Sequence, residues 1–385
     1  MATKLSRRRL LQLASSAGIT LLAGCRSDSG SEVPTVNPQS SAPPVLTRVA
    51  GYDNPRRWEG RTLVVATPGA EGTAYLHAQV ATIFEPFQRL TGATVRAALT
   101  DIDQLRQQVE SAEVLWSVCD VPTEEVLALA NSAIIDHINY DIVDRDDLFD
   151  PFVMQHGVGA ALYATVLAYS ESQDEDGPRP TNWSDFWNVG AFPGFRGFQE
   201  SALGTLEFAL LGNGVDPSEL YPLDVDAAFR YLNGIVDQII LWWRQGAQPT
   251  QMIAAGDLTM VAAWHDRILE LASGGATVGL SWDQSQINGD SWVVPNGSPE
   301  REMAMDFVNF ATRPEVTAAF SEQFPFGPVN SSAYEILNQN SESALPAAPG
   351  IVNRQFVIDL EWWFRNREPV EERFQEWLAE QPPDA

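Results

Sequence analysis

Apolar positions first become regular at about Trp58. "TLVVAT" (62–67) is a short apolar run. In "AYLHAQVATIFEPFQRL" Leu76, Val80, Ile83, Phe84 and Phe87 share one helical face, with Pro86 expected to kink or tighten the helix near its end. "ATVRAAL" predicts a second strand, "DIDQLRQQVES" a helix, "EVLWSVCDV" a third strand, and "TEEVLALANS" a helix capped by Thr123. Strands alternating with helices predict a mostly parallel sheet joined by right-handed crossovers. The pattern then changes: "GVGAALYATVLAYS" (157–170) is a long apolar run with small residues throughout, expected as one or two extended segments.

A second alternating series follows. It comprises a helix from Val225 to about Trp243 capped by Asp224, a helix near 248–255, the strand "LTMVAAW" and the helix "DRILELAS". After it, Ser298 caps and Pro299 opens a helix with Met303, Ala304, Phe307, Val308 and Ala311 on one face. "TRPE" (312–315) reads as a capping box for the next helix. Two such series predict two lobes connected more than once, with a ligand cleft at the carboxyl ends of the strands. Asp290, in "GDSWVVP", lies where the chain would return from the second lobe to the first. Its carboxylate either faces that cleft or caps a turn with Gly289.

Charge narrows the partners. The 385 residues carry 51 Asp+Glu against 24 Lys+Arg, a net charge of -27, and the single lysine is Lys4. Such a chain repels nucleic acid and anionic membrane surfaces; it suits a cationic ligand, or simply a well-solvated acidic surface. The start, "MATKLSRRRLLQLASSAGITLLAGC", has basic residues, a short apolar run and a small-residue end, the build of an export signal over 1–24 with twin-arginine character. "LLAGC" resembles a bacterial lipobox, which makes Cys25 the lipidated residue and the membrane contact a lipid alone. Cys119 is then without a disulfide partner and reads as a small buried residue. Residues 25–56, rich in Ser, Pro and Gly, are expected as a flexible tether.

Several segments in the same order resemble the solute-binding proteins of bacterial ABC importers, in the branch that includes the spermidine/putrescine-binding proteins. They are "GTAYLHAQVATIFEPFQRLTGATV", "PTNWSDFWNVGAFPGFRGF", "GTLEFALLGNGVDPSELYPLDVDAAFRYL", "AAGDLTMVAAWHDRI", "GDSWVVPNGSPEREMAMDFVNFATRPEV" and "FPFGPVN". The resemblance implies an α/β, two-lobed periplasmic-binding-protein fold (type II) with hinge crossings near 165–170 and 285–292 and an interlobe ligand cleft. Lobe 1 would hold 57–166 plus 288–335 and lobe 2 167–287 plus 336–385. It implies an exported, lipid-anchored monomer that hands a small cationic solute, a polyamine or related amine, to an ABC permease. No cofactor and no metal are implied.

Carried over position by position, Asp290 matches the family's most characteristic acid, Trp264 an aromatic wall, and Phe326 the place of a Tyr. Asp120 closes the third strand, and Thr73 and Tyr75 follow the first. Departures are plain. An acidic pair of the polyamine binders falls here on Ser201 and Gly204, and Asn288 replaces a Trp. Glu207, one turn on, either compensates or is a solvated helix acid. The solute is therefore a polyamine, a shorter or singly charged amine, or not an amine. Catalysis is disfavoured: the four histidines show no metal-ligand spacing, and nucleophile-elbow and phosphate-loop motifs are missing. A ferric-ion binder is disfavoured by the lack of adjacent tyrosines. A surface lipoprotein used for docking, without a solute, is the remaining alternative.

Overall fold

β1 (Thr62–Thr67) organises the first lobe, pairing in parallel with β2 (Thr94–Leu99) on one side and β3 (Val118–Pro122) on the other. The computed structural model describes residues 46–69, 72–171, 177–338 and 343–381. The apolar face predicted after β1 is helical, but in three pieces. A π-helical stretch at Val80–Phe84 separates α1 (Ala74–Gln79) from α2 (Glu85–Thr91), with Pro86 in the first turn of α2. A proline without an N–H cannot continue the ladder upstream, and the wider turn accommodates the break. Gly92 closes α2 at φ 79°, a conformation that favours glycine. A Cβ there would lie 2.4 Å from the Pro55 carbonyl oxygen. α3 (Ile102–Glu110) is capped by Asp101, which accepts from Gln104 N–H at 2.7 Å. Thr123 does not cap the helix after β3. A 3₁₀ turn (Thr123–Glu125) precedes α4 (Val126–Asn131), and the Thr123 hydroxyl meets Ser291 Oγ at 2.8 Å.

The long small-residue run is a single strand, β4 (Val158–Ser170). It pairs antiparallel with β8 (Val278–Val293), and these two strands traverse both lobes. Val158, Leu162, Ile287 and Trp292 belong to one core with Leu63, Phe87 and Phe307. Leu167 and Tyr169 belong to another, with Trp183, Phe198, Leu206 and Met260. The change of core coincides with a break in register: Thr165 pairs with Gln286, whereas Leu167 pairs with Ser281. Gln284 sits in the intervening bulge at φ 58°.

The sheet order is β2-β1-β3-β8-β4-β7-β5-β6. In the second lobe β5 (Arg196–Gln199) pairs in parallel with β7 (Met260–Trp264) and with β6 (Ile239–Trp243). A short β9 (Phe356–Val357) adds to β8. Helices α5 (Trp183–Trp187), α6 (Ala202–Gly212) and α7 (Val225–Leu232) cover this lobe with α8 (Ala247–Ala255) and α9 (His265–Ser273). The single helix expected from Val225 to Trp243 is therefore two elements. α7 ends at Leu232 before Asn233-Gly234, and "IILWW", β-branched and aromatic, becomes β6. Asp224 caps α7 as expected, accepting from Ala227 N–H at 2.8 Å.

Two other expected caps are displaced. α10 (Arg301–Ala311) starts after Glu300, and Ser298 Oγ instead donates to the Ser117 carbonyl at 3.2 Å. Thr312 donates back to Val308 O and so closes α10, while α11 (Pro314–Gln323) follows Arg313. α12 (Leu360–Ala379) packs Trp363, Val370 and Phe374 into the second core, and its Arg367 reaches Glu125 of the first lobe at 2.7 Å.

The expected tether up to 56 already contributes to the fold, because Val49 and Tyr52 are buried in the first core. Asp306 is the cause: it accepts from Trp58 Nε1 at 2.6 Å, its carbonyl accepts from Tyr52 Oη at 2.8 Å, and Arg57 lies 3.1 Å away. Local composition cannot announce a partner 250 residues away. Cys25 and the expected export signal lie outside the described residues. Among the described residues no helix is long and apolar enough to cross a membrane.

Candidate functional site

A cleft of about 960 Å³ opens at the carboxyl ends of β1 and β7. It is lined by residues following β1 (Pro68, Gly69, Thr73, Tyr75), by Trp264 at the end of β7, and by Tyr163 of β4 and Asp290 of β8. Both α/β series thus present the same end of their strands to one space.

Asp290 is not at a strand mouth. It lies within the 16-residue β8, paired with Pro122 on one side and Ala161 on the other, and is 8% exposed. The preceding Gly289 is needed for packing: a Cβ there would meet the Phe152 ring at 2.4 Å. Strand alternation sends Asp290 to the cleft face. Burial pushes its carboxyl well above the usual range, and the charges of Asp120 and Glu124 push it further.

Asp120 sits behind this wall and is fully buried. Its Oδ2 accepts from Tyr75 Oη at 2.7 Å and Gln79 Nε2 at 2.9 Å, while Oδ1 is buried without a partner. Thr67 Oγ1 donates to Gln79 Oε1 at 2.7 Å, which fixes the amide so that its nitrogen faces Asp120. Burial is the main cause that raises the Asp120 carboxyl to about 7, against the lowering effect of those donors. The Tyr75 hydroxyl donates to Asp120 and also holds the Asp290 carboxyl down somewhat. Among the described residues neither acid forms an ion pair with Arg or His.

Aromatic rings wall the space. Phe326 stacks on Tyr163 (centroids 5.2 Å, 26°) and meets Tyr75 edge-on at 5.8 Å. Trp264 meets Tyr163 edge-on at 6.1 Å and packs so closely on Gly246 that a Cβ there would lie 2.6 Å from its ring. His265, beside Trp264, is buried rather than charged and exposed. Its Nδ1 accepts from Ala164 N–H at 3.1 Å and its Nε2–H donates to the Pro325 carbonyl at 2.6 Å. Burial holds its pKa below the usual value, so a neutral imidazole ties β4 and α9 to the loop that carries Phe326.

The structure therefore gathers Thr73, Tyr75, Trp264, Asp290 and Phe326 around the cleft and places Asp120 behind Tyr75. Thr73 also caps α1, its hydroxyl accepting from Leu76 N–H at 3.3 Å. Sequence reading passed over Tyr163, the one phenol in the middle of a small-residue strand. It also passed over Arg267, one helical position beyond Asp266. Arg267 lines the cleft between Asp266 (3.6 Å) and Glu270 (3.7 Å) and is half-exposed.

Glu207, expected as a compensating ligand or a solvated acid, is neither. It is fully buried in the second core, accepting from Tyr221 Oη at 2.6 Å, Trp363 Nε1 at 2.7 Å and Gly204 N–H at 2.9 Å. Ser201 is likewise turned away from the cleft, with its hydroxyl donating to Glu371 of α12 at 2.7 Å.

Comparison with known proteins accords with this arrangement. The model of a family described as bacterial extracellular solute-binding protein matches residues 82–349. A gamma-aminobutyric acid-binding protein of Pseudomonas aeruginosa is 33% identical over 316 residues, 80% of this chain and 89% of that protein. The spermidine/putrescine-binding periplasmic protein of Escherichia coli is 21% identical over 231 residues, 58% of this chain and 65% of that protein. A solved structure of a GABA receptor is 30% identical, with a TM-score of 0.75, covering 84% of this chain and 99% of that one.

Proposed function

The chain belongs to the bacterial extracellular solute-binding proteins, and from that membership we propose that its cleft takes a small ω-amino acid of the γ-aminobutyrate kind. As in its family, the protein binds a small-molecule solute and delivers it to an ABC permease; it is a transport protein and not an enzyme. The finer reading names the solute. Its ammonium would sit against Asp290, its methylenes against Tyr163, Trp264 and Phe326, and its carboxylate on Arg267.

The observation that carries this reading is Arg267. A polyamine has no use for a guanidinium in the cleft, whereas a zwitterion needs one cation as well as one acid. The second-lobe acids that line the cleft, Asp266 and Glu270, are both engaged with Arg267, while Glu207 is sealed in the core and Ser201 and Gly204 carry no charge. The relative at 33% identity binds γ-aminobutyrate, while the polyamine-binding relative is at 21%. The cleft volume, near the upper end of the typical range of about 300–1,000 Å³, exceeds what so small a solute fills. Capture would then close the lobes, with β4 and β8 as the hinge. Export, lipid attachment at Cys25 and a monomeric state belong to the same proposal, and mass spectrometry of the mature N-terminus tests the first two.

Calorimetry of the chain lacking residues 1–24, with γ-aminobutyrate, putrescine and spermidine at low salt, tests the solute. Truncating one side of a buried charge pair costs about 2–5 kcal/mol. Asp290→Asn should therefore weaken γ-aminobutyrate by roughly 30-fold or more, and Arg267→Gln, at a half-exposed position, should weaken it less. Tight putrescine binding that survives or improves in Arg267→Gln would overturn the zwitterion and restore the polyamine.

A further inference from the structure

Two acids lie on adjacent strands, and among the described residues no Arg or His forms an ion pair with either. Asp120 on β3 is fully enclosed, and Asp290, two ladder positions away on β8, is 8% exposed. The Tyr75 hydroxyl has one proton to give and two carboxylates beside it, and it gives that proton to Asp120 Oδ2. Asp120 Oδ1 then has no donor at all. Two ionised carboxylates in this position would bury a charge of −2 with few donors between them, one of the costliest arrangements in a protein interior.

We propose that Asp120 and Asp290 together form a proton-binding site in the unliganded cleft, and that capture of an ammonium-bearing solute expels this proton, one for one. This rests on the ammonium sitting at Asp290. The balance is simple: the empty pair holds one proton and carries −1; with the solute's R–NH₃⁺ in place both acids are ionised and the sum is again −1. The O–H bond of the carboxyl breaks, its electron pair stays on the carboxylate, and the proton leaves to bulk water. The buried charge is thus the same before and after, which is what a site opening and closing around a cation requires.

The surroundings reinforce proton retention. The other titratable groups facing the pair are Tyr75 on α1, Cys119 on β3, Glu124 on the 3₁₀ turn, Tyr163 on β4, and Asp266 with Arg267 on α9. Burial raises Tyr75, Cys119 and Tyr163, keeping them neutral, and Glu124 adds negative charge toward Asp290. Arg367 on α12 offsets part of the Glu124 charge and is itself paired with Glu125. Neutral His265 contributes no cation. Burial brings the Asp120 carboxyl to about 7, within the physiological range.

Calorimetry of γ-aminobutyrate binding at pH 6, in buffers of different ionisation enthalpy, reads the proton directly. By the balance above, binding at pH 6 should release about one proton per solute. The dissociation constant should rise as pH falls, because proton and ammonium compete for the same pair. In Asp120→Asn the release should fall and the pH dependence between 6 and 8 weaken, because burial alone then holds the Asp290 carboxyl up. Tight binding with no proton released by the unsubstituted protein would overturn the proposal. Should γ-aminobutyrate not bind, the solute reading fails by itself. The proton site is then read in the unliganded protein from ¹³C chemical shifts of the aspartate carboxyls. One aspartate titrating near 7, lost in Asp120→Asn, supports the site, and all aspartates titrating below 5 refute it.

Discussion

Replacing His265 by Phe removes two hydrogen bonds while keeping a ring of similar volume. In the native protein the imidazole accepts from Ala164 N–H and donates to Pro325 O, and it is fully buried. The variant leaves a buried N–H and a buried carbonyl without partners, at about 1–3 kcal/mol each, so the expected loss is about 2–6 kcal/mol. No cavity is created, and the slightly larger ring adds any overpacking cost to that loss. The pH dependence gives an independent sign. The folded-state pKa of His265 is lowered by burial, so its neutral form contributes stability above the unfolded value near 6.5 that is lost as pH falls. The gap between parent and variant should therefore be larger at pH 8 than at pH 5.5. Urea unfolding followed by tryptophan fluorescence at both pH values measures it. A loss below about 0.5 kcal/mol, or a gap that widens toward acid, would refute the imidazole as a neutral clamp. A second consequence is local: Phe326 and Tyr163 should become more mobile, and solute affinity should fall with them.

Two further predictions concern other buried acids. Glu207→Leu strands three donors, those of Tyr221, Trp363 and Gly204, and should cost about 3 kcal/mol or more; faster amide exchange along Leu360–Ala379 would report the loosened C-terminal helix. A raised folded pKa, as for Asp120, means that the native state takes up a proton the unfolded chain does not hold between roughly pH 4 and 7. Unliganded protein should gain stability as pH falls from 8 toward 5, and this gain should exceed that of Asp120→Asn by about 2–3 kcal/mol in thermal or urea unfolding. An equal slope in both would locate the proton elsewhere.

Much of this protein is written in local pattern. The alternation of apolar strands and one-faced helices gave two α/β series, and the long small-residue run gave β4, because periodicity and residue size act over a few neighbouring residues. Segment-by-segment likeness gave the family and brought Tyr75, Trp264, Asp290 and Phe326 to notice. Where local signals misled, a distant partner outbid them. "IILWW" left the predicted helix because β5 was available to pair with it. Ser298 gave up its cap for the Ser117 carbonyl. Tyr52 drew the expected tether into the core because Asp306 waited there.

The residues that set the chemistry of the cleft divide in the same way. Asp290 is legible as an acid in an apolar strand. Whether an acid is a ligand, a proton carrier or a core anchor depends on what encloses it, and sequence does not state enclosure. Glu207 and Asp120 read alike along the chain as acids next to apolar runs. Tertiary structure surrounds Glu207 with three donors in the second core and leaves Asp120 short of donors behind Tyr75, facing another carboxylate. Local sequence determined which groups could ionise and on which elements they ride. Only the fold, by removing water and choosing neighbours, decided which of them hold their charge and which await a cation.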